Sequence, residues 1–308
     1  MIVYRELSSL STDLGFSAKA LYSVSNSITK HYHPVKIPKG NGEYRQLTVP
    51  DEFLKAIQRR INEKLLCFEL ISPYATAYRV GGSTIANASP HVSQKVLLKL
   101  DIRHFFDNLI YPVIKDAAFP KERYSEANRI LLTILCTYQG YLPQGAPTSP
   151  TISNIVMRQF DDTVGTWCEK RGIHYSRYCD DMTFSGDFDP KPVKSMVAGE
   201  LRKLGLFLNS KKTVVARKGQ KQTVTGIVVN EKTNIPTGYK RKLRQELHFC
   251  MKYGTQSHLK KLNPDVDEGA FLSGVLGRIN YVLSVEPDNS EMLGYRKWLE
   301  SQQIVLKA

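Results

Sequence analysis

The chain has 308 residues, 42% of them hydrophobic, which is enough to bury an ordinary core in one large domain or in two to three subdomains. Its 43 Lys and Arg residues outnumber the 29 Asp and Glu residues, so the formal net charge is +14 and the pI is about 9.5. This charge favours a polyanionic partner, with nucleic acid the leading candidate, because each phosphate that a protein neutralises releases condensed counterions.

The cysteine and hydropathy patterns argue against several classes of protein. The five cysteines are scattered, odd in number and without CxxC spacing, so neither a disulfide framework nor a zinc site is predicted, and a reducing cytoplasm is expected. The N-terminus lacks a basic region followed by an apolar one, and the most apolar stretch, ILLTILC, is too short to span a bilayer. No targeting or membrane segment is expected.

Hydrophobic spacing in the first half of the chain predicts a helix and then a strand. Residues 51–66 carry apolar side chains at helical spacing behind a possible cap at Asp51. Residues 95–101, KVLLKLD, are typical of a buried strand that ends in Asp101. Helical patterns follow at residues 126–138 and 151–170.

Farther along, residues 174–178 and 182–186 alternate apolar and polar side chains, which predicts two strands. Two adjacent acids, Asp180 and Asp181, lie between them and are therefore expected on a hairpin turn. A further helix is predicted at residues 193–206, and two more strands at residues 213–217 and 223–230.

The adjacent carboxylates suggest a metal site. Two carboxylates about 4 Å apart repel each other by about 4 kcal/mol at an effective dielectric constant near 20, so the pair is costly unless a cation lies between them. Oxygen ligands on short side chains suit Mg²⁺, and in a two-metal site one ion activates the attacking oxygen while the other stabilises the leaving oxygen. Asp101 ends another strand and could be a third ligand. Taken alone, the Asp180 and Asp181 pair is equally typical of an ordinary turn.

The segment LPQGAPTSP, residues 142–150, combines Gly, Pro and small hydroxyl residues before a predicted helix. Such a loop lets the backbone approach a ligand closely. By itself it is also typical of an ordinary loop and helix start.

Taken together, these motifs resemble those of reverse transcriptases, in the order in which that family has them. LKLDIRHFF (98–106) resembles motif A, LPQGAPTSP motif B, YCDD (178–181) the YxDD motif C and GLFLNSKKT (205–213) motif D. Upstream, residues 37–61 resemble the fingers segment that contacts the incoming triphosphate. Cys179 fills the variable position of YxDD, and four ordered motifs argue against chance similarity.

Two shorter features resemble bacterial retron reverse transcriptases. NASPH (87–91) matches their NAxxH signature, and VTG (224–226) matches their VTG triplet. The compact chain favours this type over the group II intron type, whose members usually continue into a maturase region. The last stretch of about 70 residues is also shorter than an RNase H domain needs. His91 is given no chemical role.

The resemblance implies an α+β fold, the right-hand polymerase, with an antiparallel sheet packed on helices in its palm and a helical thumb. The palm would carry the three acids. The expected subdomains are fingers at residues 1–94 and 112–141, palm at 95–111 and 142–230, and thumb at 231–308.

Matched residue by residue, the resemblance also implies a catalytic site. Asp101, Asp180 and Asp181 match the catalytic metal ligands, with the backbone of Ile102 as a further ligand. The implied cofactor is Mg²⁺, as two ions. Lys212 matches a lysine that protonates the departing pyrophosphate, whereas the lysine before it can be a plain surface charge.

The incoming nucleotide is expected near the same acids. Arg45 matches the fingers arginine on the triphosphate, a role that suits the bidentate geometry of guanidinium. Lys39, or Lys36 on the same predicted hairpin, is a second triphosphate contact. Gln144 matches the motif B glutamine near the template and the incoming nucleotide.

Phe106, the fifth residue after the motif A aspartate, matches an aromatic gate. Such a ring would stack under the sugar and exclude a ribose 2′-hydroxyl. The alternative is a core phenylalanine in a short helix, and this role applies equally well to Phe105.

From Pro236 the pattern is helical and basic to the end of the chain, so a subdomain boundary is expected near residues 231–236. The stretch GYKRKLRQELHFCMKYG interleaves aromatic and basic side chains, which suits a nucleic-acid groove. By default such a run is only a solvated helix face. The expected nucleic-acid contacts are Tyr178, Lys240, Arg241, Lys242 and Arg244.

The resemblance implies an RNA-directed DNA polymerase that copies a cognate structured noncoding RNA with dNTPs. Priming from the 2′-hydroxyl of an internal guanosine would give branched RNA-DNA (msDNA), and a host RNase H would remove the template. The family also implies antiphage defence with a separate effector protein, and no membrane partner.

Two alternatives stay open: a reverse transcriptase of another bacterial lineage, such as the group II intron type, and a noncatalytic RNA-binding scaffold. The intact acidic trio argues against the scaffold. An acyl-transfer hydrolase is poorly supported, because the chain has no GxSxG motif.

Overall fold

The computed structural model describes residues 3–38, 42–262 and 267–307. Within these ranges the helices are α1 (Leu7–Leu14), α2 (Ala18–Asn26), α3 (Glu52–Lys64), α4 (Thr84–Ala88), α5 (Tyr111–Ala118), α6 (Glu126–Cys136), α7 (Ser149–Glu169), α8 (Pro190–Lys203), α9 (Thr237–Tyr253), α10 (Thr255–Leu262), α11 (Glu268–Val285) and α12 (Ser290–Lys307). The strands are β1 (Tyr32–Pro38), β2 (Tyr44–Pro50), β3 (Val96–Asp101), β4 (His174–Tyr178), β5 (Asp181–Gly186), β6 (Val214–Arg217), β7 (Thr223–Val224) and β8 (Ile227–Val228).

Helix α3 shows how local sequence sets an element. The Asp51 side chain accepts a hydrogen bond from the Leu54 amide at 2.8 Å, which satisfies a free donor of the first turn. The helix buries Leu54, Ile57 and Ile61, at the spacing of one helical face. The predicted helix is therefore confirmed. The other three helices predicted before residue 207 correspond to α6, α7 and α8.

Four strands form an antiparallel sheet of order β4-β5-β3-β6, in which β5 pairs antiparallel with both β4 and β3. In this register Asp181 lies opposite Tyr178 on β4 and opposite Asp101 on β3. The predicted hairpin is confirmed, with Cys179 and Asp180 as its two-residue connection. All three predicted acids therefore meet at one end of the sheet.

Strand β3 is buried on both faces apart from the half-buried Lys99. This burial explains why its sequence is a continuous apolar run rather than an alternating one. The core cluster that contains Leu98 and Leu100 of β3 also contains residues of β5, α3, α6 and α7. The acids are thus held by strands whose backbones are fixed by the core.

The chain divides into two compact units. The first comprises residues 1–83 and 96–215, and the second comprises residues 84–95 and 216–308, so that the division falls inside β6. The first unit contains β1 to β5 with seven of the helices described above, and the second contains α4, α9 to α12 and the β7–β8 pair. The subdivision into fingers, palm and thumb stays a prediction.

In the second unit, α4 and the residues after it pack on the β7–β8 pair. The Ser93 amide donates to the Val229 carbonyl at 2.9 Å, and the Lys218 amide donates to the Lys95 carbonyl at 2.8 Å. These bonds join two segments that are far apart in sequence. The rest of the unit is helical, with α9 against α10 and α11, and α11 against α12.

The single strand predicted at residues 223–230 is wrong. Thr225 and Gly226 have φ angles of 45° and 84°, and two consecutive left-handed residues reverse the chain in a tight hairpin. Strand β7 therefore folds back on β8 instead of continuing into it. Among the described residues, none of the helices is both long enough and apolar enough to cross a membrane.

Candidate active site

The first unit contains a cleft of about 1000 Å³ at the end of the sheet where the acids lie. Its walls come from β2, from the end of β3 and the residues after it, from the β4–β5 connection, from the loop before α7 and from the residues before β6. The predicted site residues that line it are Arg45, Asp101, Ile102, Phe106, Gln144, Tyr178, Asp180, Asp181 and Lys212.

Main-chain hydrogen bonds fix the carboxylate-bearing segments relative to one another. The Ile102 amide donates to the Asp180 carbonyl at 3.1 Å, which links the end of β3 to the hairpin connection. The Asn209 amide donates to the Asp101 carbonyl at 2.8 Å, which links β3 to the segment that carries Lys212. The acids therefore sit on a braced backbone.

Asp101 is buried, and its two carboxylate oxygens have different surroundings. Oδ2 accepts a hydrogen bond from Lys212 Nζ at 2.7 Å. Oδ1 has no hydrogen-bond partner among the described residues. A buried carboxylate oxygen without a partner is costly, so this atom is available to a ligand that can offer it positive charge.

The charges in the cleft act on one another. Asp181 reaches solvent, yet the cleft partly desolvates its carboxyl and raises its pKa, and the nearby charges of Asp180 and Asp101 raise it further. The hydrogen bond to Asp101 raises the pKa of Lys212, so this lysine stays protonated. The site holds a cluster of negative charge that the ammonium groups of Lys212 and Lys99 offset in part.

The donor set fits divalent metal. Three carboxylates at one sheet end, one with a buried and unpartnered oxygen, are the hard ligands that Mg²⁺ prefers. Among residues 3–38, 42–262 and 267–307, no three acidic, His or Cys side chains already converge as a metal cluster. Lys212 holds one oxygen of Asp101, and metal binding would have to compete with this ion pair.

Phe105 and Phe106 occupy different environments. Phe105 is buried in the core, whereas Phe106 is half-buried and begins a short 3-10 helix beside the cleft. Their rings touch edge to face with centroids 5.3 Å apart. Both residues line the cleft, and Phe106 is the less buried of the two candidates for the gate.

The loop before α7 contacts β2. The Thr48 amide donates to the Gln144 carbonyl at 2.8 Å. Gly145 has a φ of 120°, and a Cβ there would lie 3.1 Å from both the Thr48 carbonyl oxygen and Val49 Cγ2. Only glycine fits this close approach, and it sets Gln144 against the strand that carries Arg45.

The two lysines predicted on the β1–β2 hairpin have different outcomes. Lys36 is exposed on β1 and is not among the described residues that line the cleft. Lys39 lies outside the described residues. The triphosphate contact of either lysine stays a prediction.

The family of this chain follows from its relatives. The family model for reverse transcriptase (RNA-dependent DNA polymerase) matches residues 37–229. The retron Ec83 reverse transcriptase of Escherichia coli is 34% identical, over 85% of this chain and 86% of that protein. The chain belongs to the retron reverse transcriptases.

Other relatives of this retron reverse transcriptase span most of its length. The retron Mx65 reverse transcriptase of Myxococcus xanthus is 30% identical, over 96% of this chain and 72% of that protein. Among solved structures, apo telomerase from Candida tropicalis matches with a TM-score of 0.45 at 13% identity, over 92% of this chain and 63% of that chain. The predicted α+β right-hand polymerase fold and RNA-directed DNA polymerase activity are confirmed.

The two retron signature motifs contact each other in the second unit. Asn87 of NASPH is buried, and its Nδ2 donates to Thr225 Oγ1 of VTG at 3.5 Å. Thr225 Oγ1 in turn donates to the Thr84 carbonyl at 3.0 Å. His91 of the NASPH motif is fully buried in the same unit of this retron reverse transcriptase.

The basic residues predicted on α9 separate into two groups. Lys240 is mostly buried and pairs with Glu286 at 2.8 Å, and Arg244 pairs with Glu291 at 2.7 Å. Burial opposes ionisation of Glu286, but its hydrogen bonds, including those from Lys240, hold the pKa of this carboxyl below its usual value. The ion pair of Glu286 with Lys240 therefore stabilises the fold at neutral pH, and this stabilisation is lost as the pH falls through the lowered pKa of Glu286.

Arg241 and Lys242 form the exposed group on the same helix. One face of α9 also carries Phe249 and Tyr253, whose rings stack with centroids 6.2 Å apart, and Lys252 Nζ lies 5.2 Å from the Tyr253 ring centroid. Exposed cations beside stacked aromatic rings suit the nucleic-acid contact predicted from sequence.

Two groups that contact the β4–β5 hairpin were missed by the sequence analysis. Arg177 is fully buried directly before the YCDD motif, and Tyr78 OH donates to Cys179 Sγ at 3.4 Å. A charged residue within the strand pattern HYSRY could have indicated an internal ion pair. The position of Tyr78 has no comparable signal in the sequence.

We expect neighbouring basic residues of α9 to respond differently to substitution. Lys240→Met should lower the free energy of unfolding by about 1 to 3 kcal/mol, because Glu286 loses a buried partner. Arg241→Met with Lys242→Met should change stability by less than about 0.5 kcal/mol per residue. The same double variant should also reduce the magnitude of the slope of log K against log salt for RNA binding by about 1 to 2, since up to two phosphate contacts are lost.

Thermal unfolding and RNA binding at several salt concentrations measure these effects. An unchanged salt slope in the double variant would make Arg241 and Lys242 a solvated face. Unchanged stability in Lys240→Met would contradict a structural role for its ion pair.

Proposed function

We propose that this retron reverse transcriptase adds nucleotides by two-metal chemistry at Asp101, Asp180 and Asp181. Two Mg²⁺ ions, when bound, would activate the primer hydroxyl and stabilise the charge of the leaving pyrophosphate. The proposal is carried by one observation: the sheet register sets the carboxylate of Asp101, with its unpartnered Oδ1, across from Asp181. The Ile102 backbone, at the same end of β3, is the fourth proposed ligand.

Lys212 would act on the leaving group. Its side chain is 61% exposed and its ammonium group reaches into the cleft as far as Asp101 Oδ2. In the absence of substrate this ion pair offsets the negative charge of the cluster. When the triphosphate is bound, the same Nζ would turn to it and donate a proton to the pyrophosphate oxygen.

The nucleotide would lie between β2 and the end of β3. Arg45 on β2 would bind the triphosphate, and Gln144 would contact the template base or the incoming nucleotide. Phe106 would lie under the sugar, where a ring in place of a smaller side chain leaves no room for a 2′-hydroxyl. All three residues line the same cleft as the acids, which supports this arrangement.

The retron family supports a specific template and product. We infer that the enzyme copies a cognate structured noncoding RNA with dNTPs, beginning at the 2′-hydroxyl of an internal guanosine, and releases branched msDNA. A host RNase H would remove the copied RNA, and a separate effector protein would act with the product in antiphage defence. The five free cysteines suit a cytoplasmic location.

The proposed division of the chain follows the family. Fingers would comprise residues 1–94 and 112–141, the palm residues 95–111 and 142–230, and the thumb residues 231–308. The exposed residues of α9, together with Tyr178 at the cleft, would contact the nucleic acid. The exposed residues of α9 include basic side chains and Tyr178 is aromatic, and both kinds of side chain suit contact with a nucleic acid.

Asp180→Asn is expected to reduce primer extension below about one hundredth of the wild-type rate, because the proposed metal site loses a charge. RNA affinity should stay within about twofold, since the substitution is isosteric. Single-turnover extension and filter binding on one RNA measure both quantities. Near-normal extension would refute the metal role of Asp180.

Phe106→Val should raise rNTP incorporation relative to dNTP incorporation by about tenfold or more, since the smaller side chain leaves room for the 2′-hydroxyl. Phe105→Leu is the control, because this neighbouring ring is buried in the core and should lose stability without changing the ratio. Competition between the two nucleotides on one template measures the preference. The same ratio in Phe106→Val and wild type would remove Phe106 as the gate.

The priming proposal is tested with the purified enzyme, Mg²⁺, labelled dNTPs and the noncoding RNA encoded next to its gene, with Asp180→Asn as control. We expect cDNA joined to the RNA through a 2′-5′ bond that debranching enzyme cleaves. Extension only from an added primer would contradict self-priming. No extension on any template would favour the noncatalytic scaffold.

A further inference from the structure

We propose that Arg177 is a positioning residue that sets the geometry of the catalytic hairpin through the Cys179 carbonyl. The inference rests on the proposed metal role of Asp180 and Asp181, the two residues that follow Cys179 in the chain. Arg177 itself is fully buried and does not line the cleft, so it would act on the reaction only through the backbone of the hairpin.

The guanidinium of Arg177 has partners in the core on all three of its nitrogens. Its side chain is 0% exposed, as is that of Asp161 on α7. Nε lies 2.8 Å from Asp161 Oδ1, and Nη2 lies 2.6 Å from Asp161 Oδ2. Nη1 donates to the Cys179 carbonyl at 2.9 Å, and Nη2 donates to Asn154 Oδ1 at 3.2 Å. One side chain thus joins a helix, a strand and the hairpin connection.

The anchor on α7 is itself fixed. Asp161 Oδ1 also accepts a hydrogen bond from Tyr175 OH at 2.8 Å. Asn154, two turns earlier on the same helix, donates from Nδ2 to the Ala77 carbonyl at 2.9 Å. The hairpin connection is therefore tied to α7, a 21-residue helix of the core, and not only to its own strand.

The opposite side of β4 is held in the same way. The Arg177 amide donates to the Tyr74 carbonyl at 2.8 Å, and the Thr76 amide donates to the Arg177 carbonyl at 2.8 Å. Two residues after Thr76, the Tyr78 hydroxyl donates a hydrogen bond to Cys179 Sγ. Backbone and side chain of Arg177 thus hold the hairpin from two directions.

The hairpin needs such support because its backbone is in a sparsely populated region. Cys179 has a φ of 63°, which L residues other than Asn and Asp rarely adopt. A residue stays in this region only when its surroundings over-determine it. The bond from Arg177 to the Cys179 carbonyl and the bond from Tyr78 to the Cys179 sulfur are two such contacts.

The chemistry of guanidinium explains why arginine occupies this position. Its five N–H donors form a planar fork, and here they serve a carboxylate, an amide oxygen and a main-chain carbonyl at once. Lysine would keep the positive charge beside Asp161 but has a single nitrogen, so it could not reach all three acceptors. A buried ion pair alone contributes little net stability, which favours a role in holding one geometry.

Arg177→Lys separates charge from geometry, and Arg123→Lys is the matched control. Arg123 has a side chain only 7% exposed, forms an ion pair with Glu69 in the same unit and does not line the cleft. We expect both variants to lose thermal stability. Only Arg177→Lys should also slow single-turnover nucleotide addition by about tenfold or more and weaken Mn²⁺ binding, with template affinity within about twofold of wild type.

Mn²⁺ binding is measured by electron paramagnetic resonance of the free ion, at a temperature where circular dichroism shows both variants folded. Equal addition rates and Mn²⁺ affinities in Arg177→Lys and Arg123→Lys would overturn the proposal. If Arg177→Lys does not fold, Asn154→Ala takes its place, because it removes one partner of the guanidinium and keeps the ion pair. Asn154→Ala should also slow nucleotide addition and weaken Mn²⁺ binding. A wild-type addition rate and a wild-type Mn²⁺ affinity in this variant would overturn the proposal.

Asp180→Asn in the same assays separates this inference from the proposed function. If Asp180→Asn keeps nucleotide addition and Mn²⁺ binding, the proposed metal site itself is wrong. If Asp180→Asn loses both while Arg177→Lys keeps both, the metal site stands and only the positioning role of Arg177 fails.

Discussion

The antiparallel register of β3 and β5 is the constraint on which the active site depends. It sets Asp101 opposite Asp181, and the two-residue connection to β4 adds Asp180 at the same end of the sheet. Three carboxylates so placed repel one another, and the paired strands and the short connection that carry them prevent them from separating. The ion pair of Asp101 with Lys212 offsets part of the repulsion. A divalent cation, as in the proposed two-metal site, would offset more of this repulsion than the ammonium group does.

A second layer behind the cleft keeps the hairpin in its shape. The fully buried pair of Arg177 and Asp161 lies beneath the YCDD turn, and no atom of this pair lines the cleft. Reactive carboxylates need solvent and substrate, whereas the groups that orient them are strongest where water is excluded. The division between an open layer that binds and a dry layer that positions is therefore a physical consequence of what each must do.

In the second unit, similar residues serve different purposes. Lys240 and Arg244 form ion pairs with Glu286, which follows α11, and with Glu291 of α12, whereas Arg241 and Lys242 stay exposed on the same α9. Helical periodicity turns successive residues to different faces, so a run of basic residues is divided between structure and surface. The run of basic residues in the sequence therefore overstates the number of unpaired cations that a nucleic acid can meet on this helix.

Local patterns in the sequence determined which elements form and where the acids lie, because strand alternation, helix spacing and capping act between residues close in the chain. They predicted α3, β3 and the hairpin that carries Asp180 and Asp181. A positive φ at two consecutive residues was not evident from composition, so the β7–β8 turn was missed. Only the tertiary structure decided which basic residues are free and which buried groups brace the hairpin. Pairs such as Lys240 with Glu286 are 46 residues apart, and no local pattern specifies which distant acid a given base will meet.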